Sequence, residues 1–112
     1  MEICNYDDFD KIFLISGEIL EVMDFPRAKN PSYKIKVNFG EKYGIKWTSA
    51  QVVNNYTKDE LIGKQIIGCL NLGERHIAGF KSEFLLCGFK DKNGYVSLPE
   101  LSRDIESGEK LH

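Results

Sequence analysis

Apolar and polar residues alternate most regularly in SYKIKVNF, residues 32–39, where every second residue is apolar. A period of two is typical of a strand with one buried face. Glycines at 40 and 44 then indicate a turn, and YGIKWTS predicts the second strand of a hairpin. The lysines of the first strand, Lys34 and Lys36, are predicted to face solvent.

Continuing the alternation into the second strand places Lys46 and Thr48 on that solvent face as well. Trp47 would then share the other face with Ile45 and pack in the core. The alternative is an exposed Trp47, which would offer a surface on which nucleobases stack.

The segment KIFLISGEILEVMDF, residues 11–25, is a long β-prone run in which Gly17 indicates a bend or bulge. Further along, Thr57 followed by Glu60 forms a capping box, and Gly63 ends the short helix that it begins.

QIIGCLNL and EFLLCGFK predict two more strands, and Asn93-Gly94 favours a tight hairpin turn after them. YDDFDK indicates a helical turn that begins at an Asp, and the C-terminal SRDIESGEKLH could add a short edge strand.

The predicted order is three strands, one short helix and two strands, which is the order of an OB-fold barrel. We therefore expect an all-β chain forming a single domain over residues 1–112. Its five-stranded barrel core would span roughly residues 11–98, with a short extension at each end.

Composition adds few constraints. Hydrophobic residues make up 42% of the chain and charged residues 29%, as in ordinary soluble domains. No apolar run could cross a bilayer, and no signal segment opens the chain, so we expect a cytoplasmic protein without membrane insertion. The three cysteines indicate neither a disulfide framework nor a metal site.

The net charge of −2 conceals an uneven distribution. Residues 31–90 contain nine basic and five acidic residues, a balance of +4, whereas both flanking segments are acidic. A basic central region suits a polyanion. The lysines could equally serve only to keep a small domain soluble.

An enzyme would have to use His76, Ser82 and Glu83, but no third group orients them and no nucleophile elbow, phosphate loop or zinc helix is present. We therefore predict no catalytic residue, no metal and no cofactor.

A binding protein explains the polar residues better. On an OB barrel, the lysines of strands two and three would meet phosphates, extended by Arg75 and Lys81. Hydroxyl and amide side chains would contact base edges or 2′-hydroxyls. Glu83 would repel phosphate, so we expect it to orient a donor or buttress its loop. Each of these side chains could also have an ordinary structural role.

Three segments resemble a known family: DFPRAKNPSYKIKVNFG, GIKWTSAQVVNNYTKDELIGKQIIGCLNL and RHIAGFKSEFLLCGF. They are similar to the CsaA family and, more broadly, to the tRNA-binding domain appended to methionyl- and phenylalanyl-tRNA synthetases. The similarity runs over about residues 8–112, and SAQ, ELIGKQ and AGFKSE are its most specific parts.

The resemblance implies an OB barrel whose terminal extensions build a homodimer, and tRNA binding without catalysis. It places the tRNA-binding face on Lys36, Lys46, Ser49, Gln51, Asn71, Arg75, Lys81, Ser82 and Glu83. The family is also described as chaperones, so the alternative is a protein that holds unfolded or export-precursor polypeptides in apolar pockets. Phe13 and Phe80 are the candidate peptide-binding residues. A third possibility is an assembly module that tethers to a synthetase.

One departure from the family occurs in the first strand. FLISG stands at residues 13–17 where the family typically has DIRVG, so that Phe13 and Ile15 replace an Asp and an Arg. This change is expected to remove a cation and to add apolar surface.

Overall fold

The computed structural model describes residues 1–112, which form nine strands and three short helices. The helices are α1 (Tyr6–Asp10), α2 (Gly40–Tyr43) and α3 (Lys58–Leu61). The strands are β1 (Leu14–Asp24), β2 (Tyr33–Asn38), β3 (Ile45–Ala50), β4 (Gln65–Cys69), β5 (Arg75–Ile77), β6 (Phe80–Ser82), β7 (Leu85–Leu86), β8 (Phe89–Lys90) and β9 (Val96–Ser97). None of the helices is long and apolar enough to span a membrane.

Five strands pair in the order β3-β2-β1-β4-β7, all antiparallel, and curl into a nearly closed barrel. Hydrogen bonds join β3 to the two residues just before β7. The Glu83 amide donates to the Trp47 carbonyl at 2.8 Å, and the Thr48 hydroxyl donates to the Phe84 carbonyl at 2.7 Å. The predicted five-stranded barrel, with one helix between its third and fourth strands, is confirmed.

The core lies inside the barrel, where the largest fully buried side chains include Ile15, Ile35 and Phe39. Gly17 lies where β1 crosses this core. A Cβ there would stand 2.6 Å from Val37 Cγ1, so glycine is needed for close packing. The bulge predicted at Gly17 lies further along β1, where the β1–β2 register shifts between Ile19 and Glu21.

The helix signals are mostly confirmed. Thr57 Oγ1 accepts a hydrogen bond from the Glu60 amide at 3.3 Å, and Glu60 Oε1 accepts one from the Thr57 amide at 2.7 Å. This is the predicted capping box. The first helix begins at Tyr6 with Asn5 as its N-cap, not at an Asp as predicted, because Asn5 Oδ1 accepts a hydrogen bond from the Asp8 amide at 2.9 Å.

The end of the chain is less regular than predicted. EFLLCGFK contains only the two short strands β7 and β8. The turn after β8 is a wider loop, because Asp91 and Tyr95 close it and Asp91 Oδ1 accepts from the Asn93 and Tyr95 amides. The C-terminal edge strand is reduced to one bridge between Ile15 and Lys110.

The predicted faces of β3 are wrong. Thr48 lies opposite Ile35 and is 1% exposed, and Lys46 lies opposite buried Val37, so both are on the core side of the strand. Trp47 lies opposite Lys36 on the outer face and is partly exposed. The Thr48 hydroxyl has hydrogen-bond partners in the interior, so its burial leaves no unsatisfied polar group.

Candidate nucleic-acid interface

A groove of about 710 Å³ runs beside the end of β3, and we call it the basic groove. Its walls come from the β1–β2 loop, the end of β3, the β5 strand, β7 and the β8–β9 turn. Its polar and charged lining includes Lys29, Asn30, Ser32, Ser49, Gln51, Asn54, Arg75, Lys90 and Tyr95. Two of the predicted hydroxyl and amide residues, Ser49 and Gln51, are therefore brought together with the predicted Arg75.

Three cations line the basic groove: Lys29, Arg75 and Lys90. The ion pairs of the structure are made by other lysines, at positions 11, 58, 64 and 81. The positive charge of the groove is thus not neutralised by carboxylates in ion-pair contact. An exposed, uncompensated cluster of this kind attracts phosphate groups.

Arg75 is presented by the β5–β6 hairpin, in which Arg75 pairs with Ser82 and Ile77 pairs with Phe80. Two residues connect the strands, Ala78 with φ of +48° and Gly79 with φ of +81°. Positive φ at both positions defines a type I′ turn, whose twist matches that of the strands it joins. The glycine in AGFKSE is therefore required by the turn.

Lys90 and Tyr95 are presented by the β8–β9 turn, which Asp91 organises. The Asn55 side-chain amide donates to Asp91 Oδ2 at 2.8 Å, and the Asn93 and Tyr95 amides donate to Asp91 Oδ1. The Asn55 bond first, and then the backbone amides, hold the pKa of Asp91 below its usual value. The carboxylate thus fixes the backbone on both sides of the turn.

A second groove, of about 390 Å³, is bordered by β6 of the β5–β6 hairpin, and we call it the aromatic groove. It is lined by Met23, Lys34, Trp47, Phe80, Lys81 and Glu83. The Trp47 and Phe80 rings meet edge to face with centroids 6.2 Å apart. Predicted Lys36 borders this groove, with its Nζ 5.9 Å from the Trp47 ring centroid.

Three predicted ligand-binding residues use their polar atoms inside the protein. Asn71 accepts from the Phe13 amide at 2.9 Å and donates to the Lys11 carbonyl. Ser82 is buried, with its hydroxyl 3.1 Å from Thr48 Oγ1. Glu83 accepts from the Trp47 amide at 2.8 Å, which confirms that it buttresses its loop.

Two other predicted residues, Lys81 and Lys46, do not contribute a free cation to the basic groove. Lys81 Nζ lies 3.5 Å from Glu74 and 3.8 Å from Glu83, so its charge is shared with two carboxylates. Lys46 lies on the core side of β3 and lines neither groove.

The two candidate peptide-binding residues are not brought together. Phe13 packs edge to face on Tyr43 at 6.3 Å, with Lys110 Nζ 4.3 Å from its ring centroid, whereas Phe80 lies in the aromatic groove. Ile15 is fully buried. The departure from DIRVG therefore adds a core residue at position 15 rather than apolar surface.

Sequence reasoning missed Lys29, Lys90 and Tyr95 on the basic groove. Lys29 lies between the first two strands, in the loop that OB folds use for ligands. This position could have identified Lys29 as a candidate from the sequence. Lys90 and Tyr95 flank the Asn93-Gly94 turn, but nothing local shows that this turn reaches the end of β3.

A third groove of about 450 Å³ lies under the C-terminal tail, and we call it the tail groove. Its apolar lining is Leu14, Ile67, Leu101, Ile105 and Leu111, and three acidic residues, Asp104, Glu106 and Glu109, border it.

Comparison with known proteins agrees with this fold. Residues 14–110 match the family described as "Putative tRNA binding domain". The chain is 35% identical over 116 aligned positions to methionine–tRNA ligase of Methanococcus maripaludis, covering 100% of this chain and 16% of the ligase. The chain thus spans about a sixth of that relative's length.

Two solved structures resemble it over nearly the whole of both chains. The CsaA chaperone protein of Picrophilus torridus has a TM-score of 0.90 at 43% identity, covering 98% of this chain and 100% of the other. Chaperone CsaA of Bacillus anthracis has a TM-score of 0.90 at 32% identity, covering 99% and 100%. With the family matched over most of its length, the chain belongs to the tRNA-binding domain family.

Proposed function

We propose that this protein binds tRNA without catalysis, through the basic groove. The observation that carries the proposal is the convergence of Lys29, Arg75 and Lys90 on one groove, free of carboxylate partners, in a chain of the tRNA-binding domain family. Three cations supply phosphate contacts, and each releases counterions from the RNA on binding.

The neutral groups in the groove add a second kind of contact. Ser49 and Gln51 line it beside the cations, and the residue Tyr95, which is 44% exposed, adds an aromatic ring. Hydroxyl and amide groups suit 2′-hydroxyls and base edges, and an exposed aromatic ring suits an unstacked base. The phosphate contacts of the three cations would still dominate, so that recognition would depend mainly on the backbone and shape of the RNA.

The proposal is tested by titrating bulk tRNA against the purified protein at several salt concentrations. We expect micromolar or tighter binding at low salt, with a slope of log K against log salt of about −2 to −3 if three phosphates are contacted. Arg75→Glu should weaken binding at least tenfold and make the slope shallower by about one.

The matched control is Lys42→Glu, a charge reversal of equal size. Lys42 is exposed on α2 and lines none of the three grooves. It should change affinity less than threefold, through the net charge alone. Equal losses in the two variants, or binding by wild type that does not respond to salt, would reject the basic groove as the site.

The second candidate function is holding unfolded polypeptides, and two observations favour it. Both solved relatives with a TM-score of 0.90 are named chaperones, and the aromatic groove is lined by exposed Met23 and half-buried Phe80. Suppression of client aggregation, insensitive to salt and lost in Phe80→Ser with the fold intact, would support it. Salt-sensitive suppression that Arg75→Glu abolishes would count against it.

We also propose that the tail groove is covered by a second copy of the chain. Its lining combines five apolar side chains, of which Ile105 and Leu111 are exposed, and three of the five belong to the C-terminal extension that the family resemblance assigns to a homodimer. Sedimentation should give a dimer for wild type and a monomer for Ile105→Glu. A wild-type monomer at high concentration would reject this interface.

A further inference from the structure

The aromatic groove is a rigid site as well as an apolar one. Trp47 is held at both backbone polar atoms, because its amide donates to Glu83 Oε2 and its carbonyl accepts from the Glu83 amide, each at 2.8 Å. Phe80 packs on Phe25 at 5.4 Å and on Trp47 at 6.2 Å. The ring positions are therefore set before any ligand arrives.

Two cations stand beside these rings. Lys34 Nζ lies 4.8 Å from the Phe25 ring centroid and 5.0 Å from that of Phe80, and Lys36 Nζ lies 5.9 Å from that of Trp47. Neither lysine makes an ion pair in the structure. Their charge is therefore available to an anion that approaches the rings.

The charge balance favours a nucleotide over an apolar peptide side chain. The one carboxylate lining the groove belongs to Glu83, whose oxygens already meet the Trp47 amide and Lys81. An aromatic surface flanked by free ammonium groups matches a base with its phosphate, which stacks and forms ion contacts at once. A neutral peptide side chain would leave both ammonium groups without an anionic partner.

The aromatic groove adjoins the basic groove along β3. Trp47 and Ser49 are two residues apart on the outer face of β3, and Ser49 lines the basic groove. The β5–β6 hairpin contributes to both grooves, with Arg75 of β5 lining the basic groove and Phe80 of β6 lining the aromatic groove. A single strand could therefore occupy both.

We infer that the aromatic groove is a subsite for one unpaired nucleotide of a bound RNA, with its base stacked on Trp47 and Phe80 and its phosphates near Lys34 and Lys36. This inference rests on the proposed function. It adds that the ligand includes a single-stranded base, which binding by backbone and shape alone does not need.

Trp47 is the only tryptophan of the chain, so its fluorescence reports on this groove directly. Wild-type protein would be titrated with an oligouridylate and with an abasic ribose-phosphate oligomer of the same length and charge. We expect saturable quenching by the oligouridylate and little change with the abasic oligomer. Lys36→Gln should weaken the oligouridylate at least threefold, and the exposed Lys42→Gln should not.

The outcomes separate this inference from the proposed function. If tRNA binds with its expected salt dependence but neither oligomer changes Trp47 fluorescence, RNA binding stands and the stacking subsite is rejected. If tRNA does not bind at all, both are rejected. If an unstructured peptide quenches Trp47 and oligouridylate does not, the groove belongs to a polypeptide and the inference is overturned. Because the signal comes from wild-type protein, no outcome depends on a variant that must fold.

Discussion

The basic groove and the seam that closes the barrel contain similar residue types but use them differently. At the seam, where β3 meets residues 82–84, the hydroxyls of Thr48 and Ser82 bond one another and the Glu83 carboxylate bonds the Trp47 amide. In the basic groove, Gln51 and Arg75 are exposed and have no partner in an ion pair or side-chain hydrogen bond. Polar residues close together in sequence can therefore stabilise the fold or remain available to a ligand.

Substitutions in the two regions should therefore affect different properties of the protein. Changes at the seam should lower stability and leave the RNA affinity of the folded protein intact. Changes in the basic groove should lower the RNA affinity and leave the stability intact.

Thr48→Val should destabilise the protein by about 2 kcal/mol, because it leaves the buried Phe84 carbonyl without its donor and removes a partner of Ser82. Urea denaturation would measure the loss, and tRNA binding should stay within twofold of wild type. Ser102→Ala removes an exposed hydroxyl and should change stability by less than about 0.5 kcal/mol. A Thr48→Val protein of wild-type stability would mean that the seam does not hold the barrel closed.

Glu83 separates the two roles within one side chain. Glu83→Ala should cost about 1 kcal/mol, because the Trp47 amide loses its acceptor. Glu83→Gln retains an oxygen for that amide and removes a negative charge beside the aromatic groove. It should keep most of the stability and bind tRNA slightly more tightly. Weaker binding by a stable Glu83→Gln protein would show instead that the carboxylate takes part in recognition.

Asp91 should make a pH-dependent contribution to stability. Its pKa is lowered in the fold, so the stabilisation is present above the pKa of the unfolded chain, about 4, and is lost as the pH falls through the folded value. Asp91→Asn should be less stable than wild type at pH 7, and the difference should shrink below about pH 4. Urea midpoints at pH 7 and pH 3 would test this, and a constant difference would contradict it.

The smallest effect is expected at the β5–β6 turn. Ala78 has a positive φ, which costs a residue with a Cβ about 1 kcal/mol, whereas Asn tolerates this conformation. Ala78→Asn should therefore raise stability by up to about 1 kcal/mol, and Gly79→Ala should lower it by a similar amount. Their urea midpoints should fall on opposite sides of wild type; the same sign for both would contradict the type I′ turn.

Local signals in the sequence were sufficient for most of the barrel. The alternation in SYKIKVNF, the capping box at Thr57 and the helix end at Gly63 depend on neighbours a few residues apart, and all appear in the structure. The faces of β3 were not predictable in this way. Thr48 looks like a surface residue until its two hydrogen-bonding partners, more than thirty residues away, are known.

The candidate site was partly predictable for the same reason. The basic balance of residues 31–90 and the family resemblance identified Ser49, Gln51 and Arg75, which do share a groove. They could not distinguish these from Asn71 and Ser82, whose partners are distant in sequence. Lys90 was missed because its place on the groove depends on how the β8–β9 turn docks near β3.

The most direct test of tRNA binding in the basic groove is to map the tRNA contact on the protein by NMR, following backbone amide shifts during a titration. We predict that the largest changes cluster at the walls of the basic groove, residues 28–32, 49–51, 75–77 and 90–96, and at Trp47 in the aromatic groove. The amides of the tail groove around Leu101 and Ile105 should change little. Large shifts confined to the tail groove, with the basic groove unaffected, would contradict tRNA binding in the basic groove.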